Sequence, residues 1–305
     1  NLAAGAASVI ARFNPRKPQS LNPAVIFRQK RDHSISNIIA SPFFVLKLAA
    51  YAKTKNKDAA GISKLYTGGA AVFPDEACLI HYVFKNAVVL YGSTEAEPVS
   101  EISAQELCST QAGMLLPVGK IHPSALVRII SFVPGPVAVS GEAEFETMCL
   151  KSGNIGEIVV SGPHVLAGYW NDPEASRENK IVAGSRTWHR TGDAGMLDER
   201  GRLWLAGRCK QAIGHSTGVL YPFLFEGYCR TVDGIAAGTL MLHEQIIIAA
   251  IECKKHAQRL SLAETLRKSR FPIDKIKFLE RIPRDPRHFS KIDYERLRKM
   301  LDENV

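Results

Sequence analysis

At 305 residues the chain exceeds what one compact core accommodates and fits two or three domains. Hydrophobic residues at 46% and charged residues at 23% exclude a disordered chain. The formal net charge of +9 suits acidic ligands without choosing among a nucleotide, a nucleic acid and an anionic membrane.

In chain order, Pro23 to Arg31 reads as a helix and Ser34 to Ala40 as a short buried strand. Pro42 opens an apolar helix through Phe43, Phe44, Leu46 and Leu48, proline being tolerated in a first helical turn. Lys64 to Thr67 leads into Gly68-Gly69, Pro74 starts another helix, and Ala87 to Leu90 is a strand ending at Tyr91-Gly92. Strands alternating with helices over about seventy residues predict an α/β fold, a parallel sheet with helical crossovers. Ligands bind at the carboxyl ends of such strands, where both Gly68-Gly69 and Tyr91-Gly92 lie. From Gly113 to Arg208 the pattern changes to short strands punctuated by glycine and proline, clearest at Val127–Phe132, Gly156–Val160 and Arg202–Leu205. That pattern predicts a small β-barrel or sandwich. Beyond it, a strand at Ile246–Ile251 and helices at Leu260–Lys268 and Tyr294–Leu301 predict a small α+β domain. The expected divisions are 1–112, 113–208 and 209–305.

The six cysteines, Cys78, Cys108, Cys149, Cys209, Cys229 and Cys253, include no CxxC pair. Their spacing supports neither a zinc site nor a disulfide framework and predicts reduced, cytosolic thiols. No apolar run is long enough to span a bilayer. The first residue is Asn1 rather than Met, and a segment upstream is expected.

Four short constellations carry chemistry. Tyr66-Thr67-Gly68-Gly69-Ala70 lets backbone amides approach a flat ligand, though alone it fits a simple turn as well. Tyr91-Gly92-Ser93-Thr94-Glu95 gathers an aromatic face, two hydroxyls and a carboxylate, groups able to stack a purine, donate to a phosphate and hold Mg²⁺. Read alone, it equally fits a capped turn opening a helix. Trp188-His189-Arg190-Thr191-Gly192-Asp193 fixes a carboxylate beside a glycine turn, suited to accept from ribose hydroxyls or to cap a loop. Gly207-Arg208, followed by Cys209-Lys210, offers a cation to ribose or phosphate, or a plain linker charge.

Taken in this order, together with Ile155 to Gly162 and Gly168-Tyr169-Trp170, these pieces resemble the adenylate-forming superfamily of acyl-CoA synthetases, peptide-synthetase adenylation domains and luciferases. The resemblance implies the second half of a large α/β domain, a β-barrel subdomain and a mobile C-terminal lid. It implies an enzyme that activates a carboxylic acid with ATP, forming AMP, with Mg²⁺ as cofactor. Gly68, Gly69 and Ala70 would line the adenine pocket, with Tyr91 stacked on the base beside Gly92. Thr94 would contact the α-phosphate, Glu95 would position Mg²⁺, and Asp193 and Arg208 would bind ribose. Lys210 would be the hinge of the lid, and Lys291, in the stretch from Pro283 to Lys291, its catalytic lysine.

The family's Gly/Ser/Thr-rich phosphate loop ending in Pro-Lys-Gly does not occur in the 305 residues. An N-terminal half is therefore expected as a partner, and the isolated chain is expected to be inactive. Tyr91 to Ser100, Gly218 to Pro222 and Arg287 to Lys291 resemble a subgroup, the β-lactone synthetases of bacterial olefin biosynthesis. These adenylate a β-hydroxy fatty acid whose hydroxyl then displaces AMP. The alternatives are an acyl-CoA ligase, using coenzyme A, and a non-catalytic nucleotide-binding or docking fragment. A nucleic-acid partner is disfavoured, because no aromatic residues interleave the basic C-terminal run.

Overall fold

The computed structural model describes residues 5–14, 16–57, 59–110, 115–216, 218–285 and 291–302. The chain divides into two compact units, Asn1–Leu90 with Ile102–Thr110 and Arg284–Lys291, and Tyr91–Glu101 with Gln111–Pro283 and Ile292–Val305.

In the first unit proline sets the helix starts. Helices α1 (Pro23–Asp32), α2 (Pro42–Lys55) and α3 (Pro74–Val83) each begin on one, where its fixed φ is pre-organised and its missing N–H costs no bond. Asn22 caps α1 by accepting from the Ala24 N–H at 3.0 Å. The Phe73 N–H at the head of α3 donates to the Glu76 side chain at 2.9 Å. Strands β1 (Asn37–Ala40), β2 (Lys64–Gly68) and β3 (Ala87–Ser93) pair in parallel, Asn37 opposite Lys64 and Leu65 opposite Ala87. This is the α/β arrangement expected from the sequence.

Two expectations are corrected here. Strand β1 is not buried: its residues alternate between exposed and half-buried, and Ile39 is 75% exposed. An apolar dipeptide favours a strand without dictating that both faces be covered. Nor are all the thiols reduced. Cys78 on α3 is bridged to Cys108 at the end of α4 (Ala104–Cys108). The packing of these two helices brings together cysteines that their spacing does not pair.

The second unit continues with β4 (Ala96–Ser103), which passes into α4 of the first, and with β5 (Leu116–Ile121), β6 (Leu126–Ile130), α5 (Glu142–Met148), β7 (Gly156–Ser161), α6 (Pro173–Asn179), β8 (Lys180–Ala183), β9 (Arg186–Leu197) and β10 (Arg202–Arg208). The strand order is β4-β5-β10-β9-β7-β6, with β8 on β9. Neighbours run antiparallel. Val127, Ile129, Ile158, Val160 and Leu203 form a core on this sheet.

After a 3-10 turn at Cys209–Gln211 the chain forms a hairpin of β11 (Ile213–His215) and β12 (Gly218–Leu220). Then come α7 (Pro222–Cys229), β13 (Ile235–His243), β14 (Ile246–Cys253), α8 (Arg259–Arg267), β15 (Lys275–Leu279) and α9 (Tyr294–Asp302). Strand β14 is central, antiparallel to β13 and parallel to β15. Successive side chains of a strand point to opposite faces, so this sheet carries two cores. Leu240 and Ile251 join Phe225 of α7 and Leu266 of α8 on one face, while Met241 and Ile248 join Leu297 and Leu301 of α9 on the other. Leu297 and Leu301, four apart, lie on one stripe of α9. No described helix is long and apolar enough to cross a membrane.

Candidate active site

Strand β9 does most to position the candidate site. Arg190 is held in its interior, side chain 6% exposed, against Glu157 of β7, 3% exposed. Its Nε and Nη2 donate to Glu157 Oε2 at 3.0 and 2.6 Å, and the guanidinium also donates to the carbonyls of Val133 and Gly135. A buried guanidinium is tolerated only when its donors are satisfied in this way. Two residues on, Gly192 adopts φ +68°, a left-handed conformation that favours glycine. It turns the chain so that the Asp193 N–H donates to Thr191 Oγ1 at 3.1 Å, while Thr191 Oγ1 donates to the Ile158 carbonyl at 2.8 Å.

Three of the sequence-predicted residues meet at Asp193. The Tyr91 hydroxyl, from the end of β3, donates to Asp193 Oδ2 at 2.8 Å. Arg208 of β10 stands directly opposite Asp193 in the ladder and places Nε 3.0 Å from Oδ1. Burial, then the neighbouring Asp193 carboxylate, pushes the Tyr91 phenol well above its ordinary pKa. The ring therefore stays protonated and remains a donor. Its apolar part packs against the core of the antiparallel sheet.

Beyond Tyr91 the backbone turns back on itself. A Cβ on Gly92 would lie 2.7 Å from the Ala96 carbonyl oxygen, a separation no side chain tolerates. The segment is thus a strand–turn–strand connection rather than the opening of a helix. Thr94 is exposed on the turn and Glu95 half-buried beside it. Glu95 Oε1 accepts from the Tyr169 hydroxyl at 3.0 Å, and the Glu95 carbonyl accepts from the Leu166 N–H at 2.9 Å. The Leu166 carbonyl in turn accepts from the Lys180 ammonium, which also lies 5.5 Å from the Tyr169 ring centroid. Burial alone would raise the Glu95 pKa, but hydrogen bonds, the Tyr169 phenol's among them, hold it below its usual value. Burial, then Glu95, pushes the Tyr169 phenol up to about 12. Burial and the Lys180 ammonium lower His189 to about 4, leaving it neutral near pH 7. Trp170, the residue after Tyr169, is 93% exposed.

Gly68 closes β2, and Gly69 follows with φ +84° and open space where a side chain would begin. Ala70 is half-buried. Lys210 is exposed in the 3-10 turn after β10. Lys291 is exposed, and its carbonyl accepts from the Asp285 N–H at 2.9 Å. The intervening Pro286 to Ser290 of that motif lie outside the described residues, as do Gly113 and Thr217. Sequence reasoning missed Tyr169 as the partner of Glu95 and Glu157 as the partner of Arg190, although both lie in the quoted motifs. The signal available was their chemistry: a carboxylate inside the otherwise apolar run Gly156–Val160 calls for a buried cation. Among the described residues no three His, Cys, Asp or Glu side chains are grouped to hold a metal ion.

The sequence model of the AMP-binding enzyme family matches residues 1–170, more than half of the chain. The chain is 30% identical over 251 residues to olefin beta-lactone synthetase of Stenotrophomonas maltophilia (strain K279a), covering 78% of this chain and 44% of that protein. It is 29% identical over 234 residues to indoleacetate–CoA ligase of Aromatoleum aromaticum, covering 72% and 42%. Among solved structures, O-succinylbenzoate coenzyme A synthetase from Bacillus subtilis, in complex with AMP, superposes with a TM-score of 0.71 at 21% identity. That match covers 93% of this chain and 54% of the other, and at this identity it speaks to the fold alone. The chain spans about half the length of the curated relatives it matches.

Proposed function

This chain belongs to the AMP-binding enzyme family, and on that premise we propose that it is the adenosine-binding and lid-bearing part of an enzyme that activates a carboxylic acid by adenylation. The observation that carries the reading is Asp193 held between Tyr91 and Arg208. A fixed carboxylate beside an aromatic ring suits a ribose diol and its base. Gly68, Gly69 and Ala70 would line the adenine pocket, glycine backbone being able to approach a flat ring closely. Gly92 allows the tight turn that brings Thr94 to the α-phosphate. Mg²⁺, when bound, would screen the phosphate charge. Glu95 would be its protein ligand, the rest of its shell being phosphate oxygens and water, as suits an ion that sheds water reluctantly.

In the reaction a substrate carboxylate oxygen attacks the α-phosphorus and the bond to pyrophosphate breaks. Lys291 would stabilise the charge growing on the phosphate oxygens. We place the hinge of a mobile C-terminal domain, residues 209–305, at Lys210, beyond a β subdomain of residues 113–208 and an α/β part of residues 1–112. Rotation there would exchange one half-reaction for the other. The polypeptide corresponding to the rest of the relatives' length would supply the triphosphate grip. We assign the enzyme to the cytoplasm because it uses ATP; the Cys78–Cys108 disulfide is of a kind commoner in oxidising compartments.

For the second step we propose a β-hydroxy fatty acid, whose own hydroxyl attacks the acyl carbonyl and expels AMP, closing a β-lactone. Support comes from the 30% identical relative of that name and from Gly218 to Pro222, where Pro222 opens α7 and stiffens the segment beyond the proposed hinge. The relative named as a coenzyme A ligase supports the competing product, a thioester. The test uses the complete protein with ATP and Mg²⁺, a β-hydroxy fatty acid or its unsubstituted counterpart, and coenzyme A present or absent, with products identified by mass spectrometry. The expected outcome is lactone from the hydroxy acid without coenzyme A, and stalled acyl-adenylate from the other. Efficient acyl-CoA formation from the unsubstituted acid, with no lactone, would overturn the lactone assignment.

A further inference from the structure

The Tyr91 hydroxyl does something that stacking on a base does not require. A phenylalanine would offer the same aromatic face, yet here a hydroxyl sits 2.8 Å from Asp193 Oδ2 across 102 residues of sequence. The carboxylate is gripped from two sides, because Arg208 Nε is 3.0 Å from the other oxygen, Oδ1. Its backbone is pinned as well, through Thr191. The two donors to the carboxylate come from different strands, β3 and β10, and the Tyr91 ring is wedged against the apolar core. A carboxylate clamped at both oxygens cannot rotate about its terminal bond, so the acceptor directions left to a ligand are fixed in space before the ligand arrives.

We propose that Tyr91 is a positioning residue for Asp193, so that its hydroxyl, acting through that carboxylate, sets the site's preference for nucleotides carrying the ribose 2′,3′-diol. This rests on the nucleotide reading above. It adds to that reading a separation of labour within one side chain: the ring face serves the base and the hydroxyl serves the sugar. Burial, then the Asp193 carboxylate, raises the phenol's pKa, which extends its life as a donor further into the alkaline range. Removing the hydroxyl leaves Asp193 in place but able to turn. The loss then falls on the contacts that depend on its orientation, those to the diol, and not on contacts to the base or phosphate.

The test measures binding of AMP and of 2′,3′-dideoxyadenosine monophosphate to this chain by isothermal titration calorimetry, in the original sequence and in Tyr91→Phe. The original is expected to prefer AMP by about tenfold or more, the worth of hydrogen bonds to a charged acceptor. Tyr91→Phe should cut that preference several-fold while leaving affinity for the dideoxy ligand nearly unchanged. Tyr91→His, whose shorter ring stops short of Asp193, covers the case in which the phenylalanine variant fails to fold, with the same expected loss. Equal weakening of both ligands, or an unchanged preference, overturns the positioning role while leaving the nucleotide reading intact. Failure of the original chain to bind either ligand at millimolar concentration overturns both.

Discussion

Arg190 and Glu157 make a two-pronged ion pair in the interior of the antiparallel sheet, Nε and Nη2 reaching the same carboxylate oxygen at 3.0 and 2.6 Å. Removing one partner leaves the other charge buried and unpaired, at a cost of about 3–5 kcal/mol. Glu157→Ala should therefore lower the midpoint of urea unfolding sharply. An exposed control such as Glu174→Ala, on the surface of α6, should change the unfolding free energy by less than about 0.5 kcal/mol. Comparable midpoints for the two variants would contradict the pairing.

Asp198 gives the protein an acid-sensitive contact. Burial alone would raise its pKa, but the Arg202 N–H, the Trp204 indole N–H and the Arg202 guanidinium outweigh that and pull it down to about 2. Because the folded-state pKa lies below the unfolded one, the stabilisation is complete above pH ~4 and is lost as the pH falls toward ~2. The melting temperatures of the original and of Asp198→Asn should differ at pH 5 and converge by about pH 2. A gap independent of pH would refute the link to ionisation.

The Cys78–Cys108 bridge joins residues 30 apart in sequence. Closing a loop of that length stabilises the folded state by roughly 3–4 kcal/mol in the chain-entropy model. Unfolding with and without a phosphine reductant should show this difference, and Cys78→Ser should match the reduced protein. The other four cysteines are free, and burial raises the pKa of each. Slow labelling by a thiol reagent before unfolding is the accompanying expectation.

In the complete protein Lys291→Ala should reduce the adenylation rate far more than it weakens ATP binding, because in the role proposed for it the charge would act on the phosphate during reaction rather than on the bound nucleotide. Asp193→Ala should do the reverse. Single-turnover rates alongside nucleotide affinities separate the two. A Lys291→Ala rate within about threefold of the original, a loss under ~1 kcal/mol, would remove its catalytic assignment.

Strand β1 pairs with β2 and, among the described residues, with no other strand, and it presents Ile39 to solvent. An unpaired, apolar strand edge templates association between copies. This chain should self-associate at high concentration by light scattering, and Ile39→Lys should suppress it. Identical scattering from the two would show that association, if any, uses another surface.

Much of the fold is legible in the sequence because proline marks it. Pro23, Pro42, Pro74 and Pro222 each stand at a helix start, the one helical position where the residue's geometry helps. Strand β9 is harder to read. Its polar run Arg190-Thr191-Gly192-Asp193 breaks alternation, because those side chains serve a buried ion pair and the contacts of Asp193 with Tyr91 and Arg208 rather than a core. The exposure of Ile39 was not legible either, since a residue's hydrophobicity does not report what packs beside it. The local candidates Tyr91, Asp193 and Arg208 could be chosen from their motifs. That the hydroxyl of the first grips the carboxylate of the second is a tertiary fact with no counterpart in spacing, as is the pairing of Cys78 with Cys108.

The exposure of Trp170 also makes the segment that holds Glu95 optically visible. Of the three tryptophans in the chain, Trp188 is stacked on Phe145 inside the protein and Trp204 is tied to Asp198 through its indole nitrogen. Trp170 alone stands almost wholly in water, one residue from the Tyr169 hydroxyl that meets Glu95. Iodide or acrylamide will therefore quench its emission first and leave a bluer spectrum from the other two. The protein thus carries its own fluorophore beside the proposed magnesium ligand, and rearrangement of that segment on nucleotide binding can be timed without attaching a dye.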